Sequence, residues 1–151
     1  MKIRIGLVVA LIFFGSSASV RAAFEITPAV QSKLDKMKNM VRDWAVSAVV
    51  VKAVKDQNNK GPILGMDNAK WKIIRRTDDV VKEFQSNPAG QYLKGKVASS
   101  NGAFTEAFLS ASQGEKVAFV EKTTSYIHKG QPKFDDPYGG SKRMARQAGV
   151  R

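Results

Sequence analysis

A chain of 151 residues without cysteine excludes disulfides, thiolate metal sites, a catalytic cysteine and a lipoprotein anchor. Its 25 Lys and Arg against 13 Asp and Glu give a formal charge of +12, and its single histidine excludes a His-rich metal centre. A basic surface favours acidic small molecules, anionic lipid or envelope polymers, although net charge speaks to solubility before function.

The chain opens with Lys2 and Arg4, runs through apolar Ile5 to Phe14, then passes into small residues from Gly15 to Ser19. This is the three-part pattern of a secretory signal peptide. Val20 and Ala22 occupy the two small-residue positions that a signal peptidase reads, so cleavage is expected after Ala22. A membrane anchor is the alternative, but a spanning helix needs about 20 apolar residues, and residues 5 to 14 supply ten. Removing 22 residues from 151 leaves 129, the size of one soluble domain. Lys2, Arg4 and Arg21 leave with the signal, which lowers +12 to +9, and Lys142, Arg143, Arg146 and Arg151 place four of those charges in the tail. Freedom from disulfides fits a bacterial periplasm better than a small eukaryotic secreted domain. Export argues against nucleic acid as a partner.

Thr27 before Pro28 reads as an N-cap followed by a proline at the first helical position. Val30, Leu34, Met37, Val41, Trp44, Ala48 and Val51 then recur at spacings of four and three, one helical stripe. The Val49-Val50-Val51 run has strand-like composition, but the stripe passes through it in phase. The stop comes at Asn58-Asn59-Lys60-Gly61-Pro62. The expectation is one helix of roughly 30 residues, about 45 Å long, in a domain about 36 Å across.

Ile63 to Trp71 forms a short segment after the Gly-Pro break. Asp78 to Phe84 reads as a helix that ends before Asn87-Pro88, and Gln91 to Ser99 as a further short helix. Phe104 to Ser110 and Lys116 to Thr123 read as two strands joined through Ser112-Gln113-Gly114, a hairpin. His128 to Tyr138, with two prolines, reads as loop, and the basic tail from residue 139 to 151 as disordered.

The stretch from Gly102 to Phe134, GAFTEAFLSASQGEKVAFVEKTTSYIHKGQPKF, resembles the ligand-binding core of bacterial periplasmic Cache (PDC, PAS-like) sensor domains of the small secreted kind. Phe104, Glu106 and Phe108 match the family's aromatic-x-Glu-x-Phe strand. Gly114, Val117 and Ala118 match its turn and next strand, and Lys122, Thr123 and Tyr126 match its Lys-Thr-Ser-Asp-Tyr motif, with Lys133 and Phe134 just beyond. Upstream, Ile63, Leu64, Asp67 and Trp71 resemble its Ile-Leu, Asp and Trp segment, and Asn87, Pro88 and Leu93 its Asn-Pro helix start. The resemblance covers about residues 26 to 138. Ser125 stands where an acidic residue is usual, Ile127 where Trp is usual and His128 where Gln is usual, which implies an altered ligand grip. The family continues for about three more strands after the position of Tyr138. The expectation is therefore residues 1–22 as signal, 23–138 as an incomplete Cache-like domain and 139–151 as tail. Its fold would be α+β, a long N-terminal helix packed on a partial antiparallel PAS-like sheet.

The resemblance implies that Lys122, Thr124, Ser125, Tyr126, His128 and Trp71 line a small-ligand pocket. The chemistry suits a small carboxylate or amino acid: an ammonium, hydroxyls and an aromatic wall with a polar tip. A solvated strand-to-loop corner is the plainer alternative, and Trp71 is equally a core residue. His128 alone makes no catalytic or metal constellation and is expected exposed. Asp135-Asp136 before Pro137 reads as turn-forming rather than as an acid/base pair. No nucleophile elbow, P-loop or zinc motif occurs, so neither an enzyme nor a cofactor is expected. The sensor would signal through a membrane-bound kinase or cyclase. The alternative is a basic exported interaction protein that forms a homodimer, or binds an envelope partner, through its N-terminal helix.

Overall fold

Thr27 opens the first helix as the sequence predicts. Its Oγ1 accepts from the Val30 amide at 3.4 Å, and Pro28, which has no N–H to leave unpaired, takes the first helical position. The computed structural model describes residues 26–147, so the expected signal peptide lies outside the described residues.

The single long helix is not observed. It is two helices, α1 (Pro28–Ala45) and α2 (Ala48–Lys60). Ser47 breaks it: its hydroxyl donates back to the Trp44 carbonyl at 2.9 Å, and its extended backbone makes it the cap of α2. Serine competes with the helix in this way because its short hydroxyl reaches local backbone groups. The break lets Trp44 pack on Phe104, ring centroids 4.8 Å apart, while α2 turns to bury Val50. Of α1, only Trp44 is buried, and Val30, Leu34 and Val41 of the stripe are exposed. It is α2, not α1, that lies against the sheet and against α5.

Asp67 caps α3 (Asn68–Ile73) by accepting from the Lys70 amide at 2.7 Å. Next come α4 (Asp79–Ser86) and α5 (Pro88–Ala98), close to expectation. Asn87 forms their corner. Its amide donates to Glu83, its Oδ1 accepts from Gly90 at 2.8 Å, and its Nδ2 donates to the Val117 carbonyl at 3.0 Å.

The hairpin is present but shorter than expected: β1 (Phe108–Ser110) and β2 (Lys116–Phe119). They pair antiparallel, Phe108 opposite Phe119 and Leu109 opposite Ala118, with an irregularity at Leu109/Ser110. Residues 104–107 stay out of the strand, and the Ser100 hydroxyl accepts from the Phe104 amide at 3.2 Å. Beyond β2 the chain returns, with Glu115 bridging Ile127 and the His128 amide donating to the Gly114 carbonyl at 2.8 Å. Gly114 has φ +80° and faces the Lys129 backbone at a distance that leaves no room for a Cβ.

The last helix, α6 (Pro132–Gln147), replaces the expected loop from Pro132 onward and most of the expected disordered tail, and it carries Pro137 in its interior. Pro132 sits at its start, where a missing N–H costs nothing, and Asp135 Oδ1 accepts from the Gly130 amide at 3.2 Å. Phe134 and Tyr138, four residues apart on one face, stack at 5.2 Å.

The fold is thus α+β, with a two-stranded antiparallel sheet covered by helices among the described residues. A two-stranded sheet is marginal alone. Here α4 and α5 pack on β2 and supply the missing burial. Trp71, Val81, Phe84, Phe119 and Tyr126 form the main core, extended by Ala89, Leu93 and Ala118. The Trp71 ring meets Phe84 and Phe119 edge-on, both at 6.0 Å. Burying each large apolar side chain is worth about 1.5–3 kcal/mol. No helix among the described residues is long and apolar enough to cross a membrane.

Candidate functional site

The six expected pocket residues separate into four environments. Lys122 and Thr124 line an open cleft of about 540 Å³ with Lys72, Ile74, Arg75, Arg76 and Thr123. Trp71 and Tyr126 are fully buried core residues rather than pocket walls. His128, expected exposed, is 1% exposed and belongs to a different cluster. Ser125 is half-buried, its Oγ 3.5 Å from Gln131 Nε2.

The cleft and the core nevertheless share Trp71. Its Nε1–H donates to the Thr123 carbonyl at 2.7 Å, and its own carbonyl accepts from Lys122 Nζ at 3.0 Å. The same ammonium stands 4.7 Å from the indole centroid. These contacts fix the 122–124 segment, and Thr123 Oγ1 tightens it by donating to the Ser125 carbonyl at 2.7 Å. Burial and the neighbouring Arg76 hold the Lys122 pKa below its ordinary value, and Asp78 opposes them. Arg75 pairs with Asp78 at 3.2 Å and Arg76 with Glu121 at 3.7 Å, both across exposed surface. The cleft lining therefore carries four cationic side chains, two hydroxyls, one isoleucine and no carboxylate.

Tyr126 is in the core because its hydroxyl finds a partner there. It accepts from the Ile63 amide at 3.0 Å, while its ring packs on Trp71 at 5.5 Å. A buried tyrosine needs such a partner for its polar tip. Burial pushes its pKa up.

The second cluster lies at the start of β2. Lys116 is fully buried, its Nζ 3.2 Å from His128 Nδ1 and 3.3 Å from the centroid of the Phe108 ring. The His128 ring meets Phe108 edge-on at 5.0 Å. Burial, with the Lys133 charge nearby, lowers the Lys116 pKa to about 7. Burial, then the charges of Lys116 and Lys133, lower that of His128 to about 4, and the Ser125 backbone works the other way. Glu115 is also fully buried, and neither of its carboxylate oxygens has a hydrogen-bond partner; nor does His128 Nε2.

Sequence reasoning missed Lys72, Arg75 and Arg76, although the basic run from Lys70 to Arg76 announces them. It missed Lys116 because a lysine opening a strand carries no sign of burial. Compared with known proteins, the chain matches no family model, no curated protein and no solved structure.

Proposed function

We propose that the chain is an exported, non-enzymatic small-molecule-sensing domain of Cache type, which binds a small carboxylate or amino acid and signals through a membrane-bound kinase or cyclase. The observation that carries this reading is the lining of the cleft: Lys72, Arg75, Arg76 and Lys122 around two threonines, without an acidic residue. Guanidinium and ammonium groups pair with carboxylates through charge-assisted hydrogen bonds, the strong class. The attachment of Lys122 and Thr123 to Trp71 gives the bound anion a path to the core. A ligand shifts a signalling equilibrium only through different affinity for its two states, and this attachment is where such a difference arises. The Cache assignment rests on the motifs from Phe104 to Phe134, and export on the first 22 residues.

A thermal-shift screen of mono- and dicarboxylates and amino acids tests the reading. At about a hundredfold excess over Kd, a ligand specific to the folded state adds about 2.7 kcal/mol. At least one acid should raise the melting temperature saturably, and the double variant Arg76→Ala/Lys122→Met should abolish the rise. A broad panel without a hit would overturn the sensing proposal.

The exposed stripe of Val30, Leu34 and Val41 on α1 favours a second reading, an interaction protein that pairs through this helix. Sedimentation should then show a dimer that Leu34→Glu disrupts.

A further inference from the structure

A buried ammonium is costly unless an anion and hydrogen bonds compensate it. Lys116 is fully buried, yet among the described residues it forms no ion pair. Its neighbours are an imidazole, a phenyl ring and, at longer range, a second cation, Lys133. The adjacent Glu115 does not serve: its oxygens have no hydrogen-bond partner, Lys116 included. His128 Nε2 is a further buried polar atom without a partner. Unsatisfied polar atoms of this kind call for a missing partner.

Phe108 connects this cation to a cavity. Its ring caps Lys116 Nζ and is 42% exposed, and it also lines a groove of about 440 Å³. The groove runs between the end of α1, α5 and the 104–109 segment, and its walls include Val41, Trp44, Leu93, Phe104 and Leu109. Its single acidic lining residue, Glu106, is exposed. Ligand pockets have this size and composition, about 300–1,000 Å³ of mostly apolar wall with a few placed polar groups. The groove alone would suit any apolar body. Outside the groove lining but in contact with Phe108, the Lys116 amine has no anionic partner, and an anion beside it would hold it protonated, which narrows the choice by charge complementarity.

We propose that this groove binds a carboxylate amphiphile, such as a medium-chain fatty acid, with its hydrocarbon against Trp44, Phe104 and Leu93 and its carboxylate on Lys116, reached when the Phe108 ring swings aside. The site is separate from the basic cleft and does not depend on it. The carboxylate supplies the anion that Lys116 lacks, and the chain covers apolar surface left open by the break between α1 and α2.

Calorimetric titration of the purified protein with decanoate, and with decanol as the uncharged control, tests the proposal. Decanoate should bind saturably, one per chain, at least about tenfold more tightly than decanol, the size of one charge-assisted contact. Lys116→Met should erase that preference while keeping decanol affinity. Phe108→Ala should retain the preference, because it removes the lid and leaves the cation. Arg76→Ala/Lys122→Met, in the other cleft, should leave decanoate binding unchanged, which separates this site from the sensing proposal. Equal affinity for acid and alcohol would overturn the proposal on the unaltered protein alone. So would a preference that survives in Lys116→Met, or a dimer that closes the groove and excludes decanoate.

Discussion

The Asn68 carboxamide pairs with the Ile127 peptide from both sides: Oδ1 accepts from the Ile127 amide and Nδ2 donates to the Ile127 carbonyl, each at 2.9 Å. The same Oδ1 accepts from the Tyr126 amide at 2.9 Å. One side chain at the start of α3 thus positions the return segment 126–128 that carries both Tyr126 and His128. Asn68→Ala strands the part-buried Tyr126 and Ile127 amides and leaves the Ile127 carbonyl only its longer bond from Gln131 Nε2, 3.5 Å. Each such hydrogen bond is worth about 1 kcal/mol net, so the loss should reach about 2–4 kcal/mol. Asn68→Asp keeps both acceptor bonds and should cost less. Urea denaturation of the three proteins checks the ranking.

Gly114→Ala should destabilise by more than about 2 kcal/mol. The backbone there is left-handed, and an added Cβ would collide with the Lys129 backbone, which has no rotamer by which to move away. Gly102→Ala is the control, because that residue has φ +77° but open space around it. It should carry only the conformational part of the cost. The difference in urea midpoint between the two variants measures the collision alone.

Lys116 and His128 predict opposite ends of a pH profile. The Lys116 pKa falls from 10.5 to about 7, so between these values the unfolded chain holds a proton that the folded chain has released. Stability should therefore rise with pH across that window. The titratable groups that face it are His128 on the return segment, neutral across this window, and Lys133 on α6, whose charge opposes its protonation. The His128 pKa falls from 6.5 to about 4, so stability should decline as pH drops through that interval. Denaturation at pH 5, 7 and 10 on the wild type, Lys116→Met and His128→Gln reads both slopes. Lys116→Met should lose the alkaline rise and His128→Gln the acid decline.

Trp71→Phe should separate packing from attachment. The ring remains, but the bond from Nε1 to the Thr123 carbonyl is lost. A stability loss of about 1–3 kcal/mol is expected from the unsatisfied carbonyl and the smaller ring. If the cleft binds carboxylates, their affinity should weaken as well, since Thr123 and Thr124 lose their anchor. Thermal shift with the best acid from the screen gives both values.

Local signals in the sequence were legible where the chemistry is local. Thr27-Pro28, Asn87-Pro88 and the turn ending at Gly114 act on their own neighbours, and the structure places a cap, a helix corner and a hairpin there. One long helix is expected where two stand because a periodic stripe does not reveal whether tertiary contacts bend it. Ser47 is an ordinary helix-surface residue until Trp44 finds Phe104, 60 positions later. The stretch from His128 to Tyr138 reads as loop because proline opposes helix interiors, yet Pro132 only opens α6, and the helix continues through Pro137 in its interior. The candidate site divided for a similar reason. Lys122 to His128 are neighbours in sequence, but the chain turns between Thr124 and Tyr126, so Thr124 faces the cleft while Tyr126 enters the core. The cations that complete the cleft come from residues 72–76, which only folding brings there.

The hairpin has two sides. Glu115 on the β2 side bridges the returning Ile127, whereas no strand among the described residues pairs with the far side of β1. An edge strand can template another extended chain, the route by which sheets aggregate. Only three residues long and interrupted beside Leu109, β1 offers a poor template. Substitutions that lengthen β1 or straighten it at Leu109-Ser110 should therefore raise aggregation at high concentration.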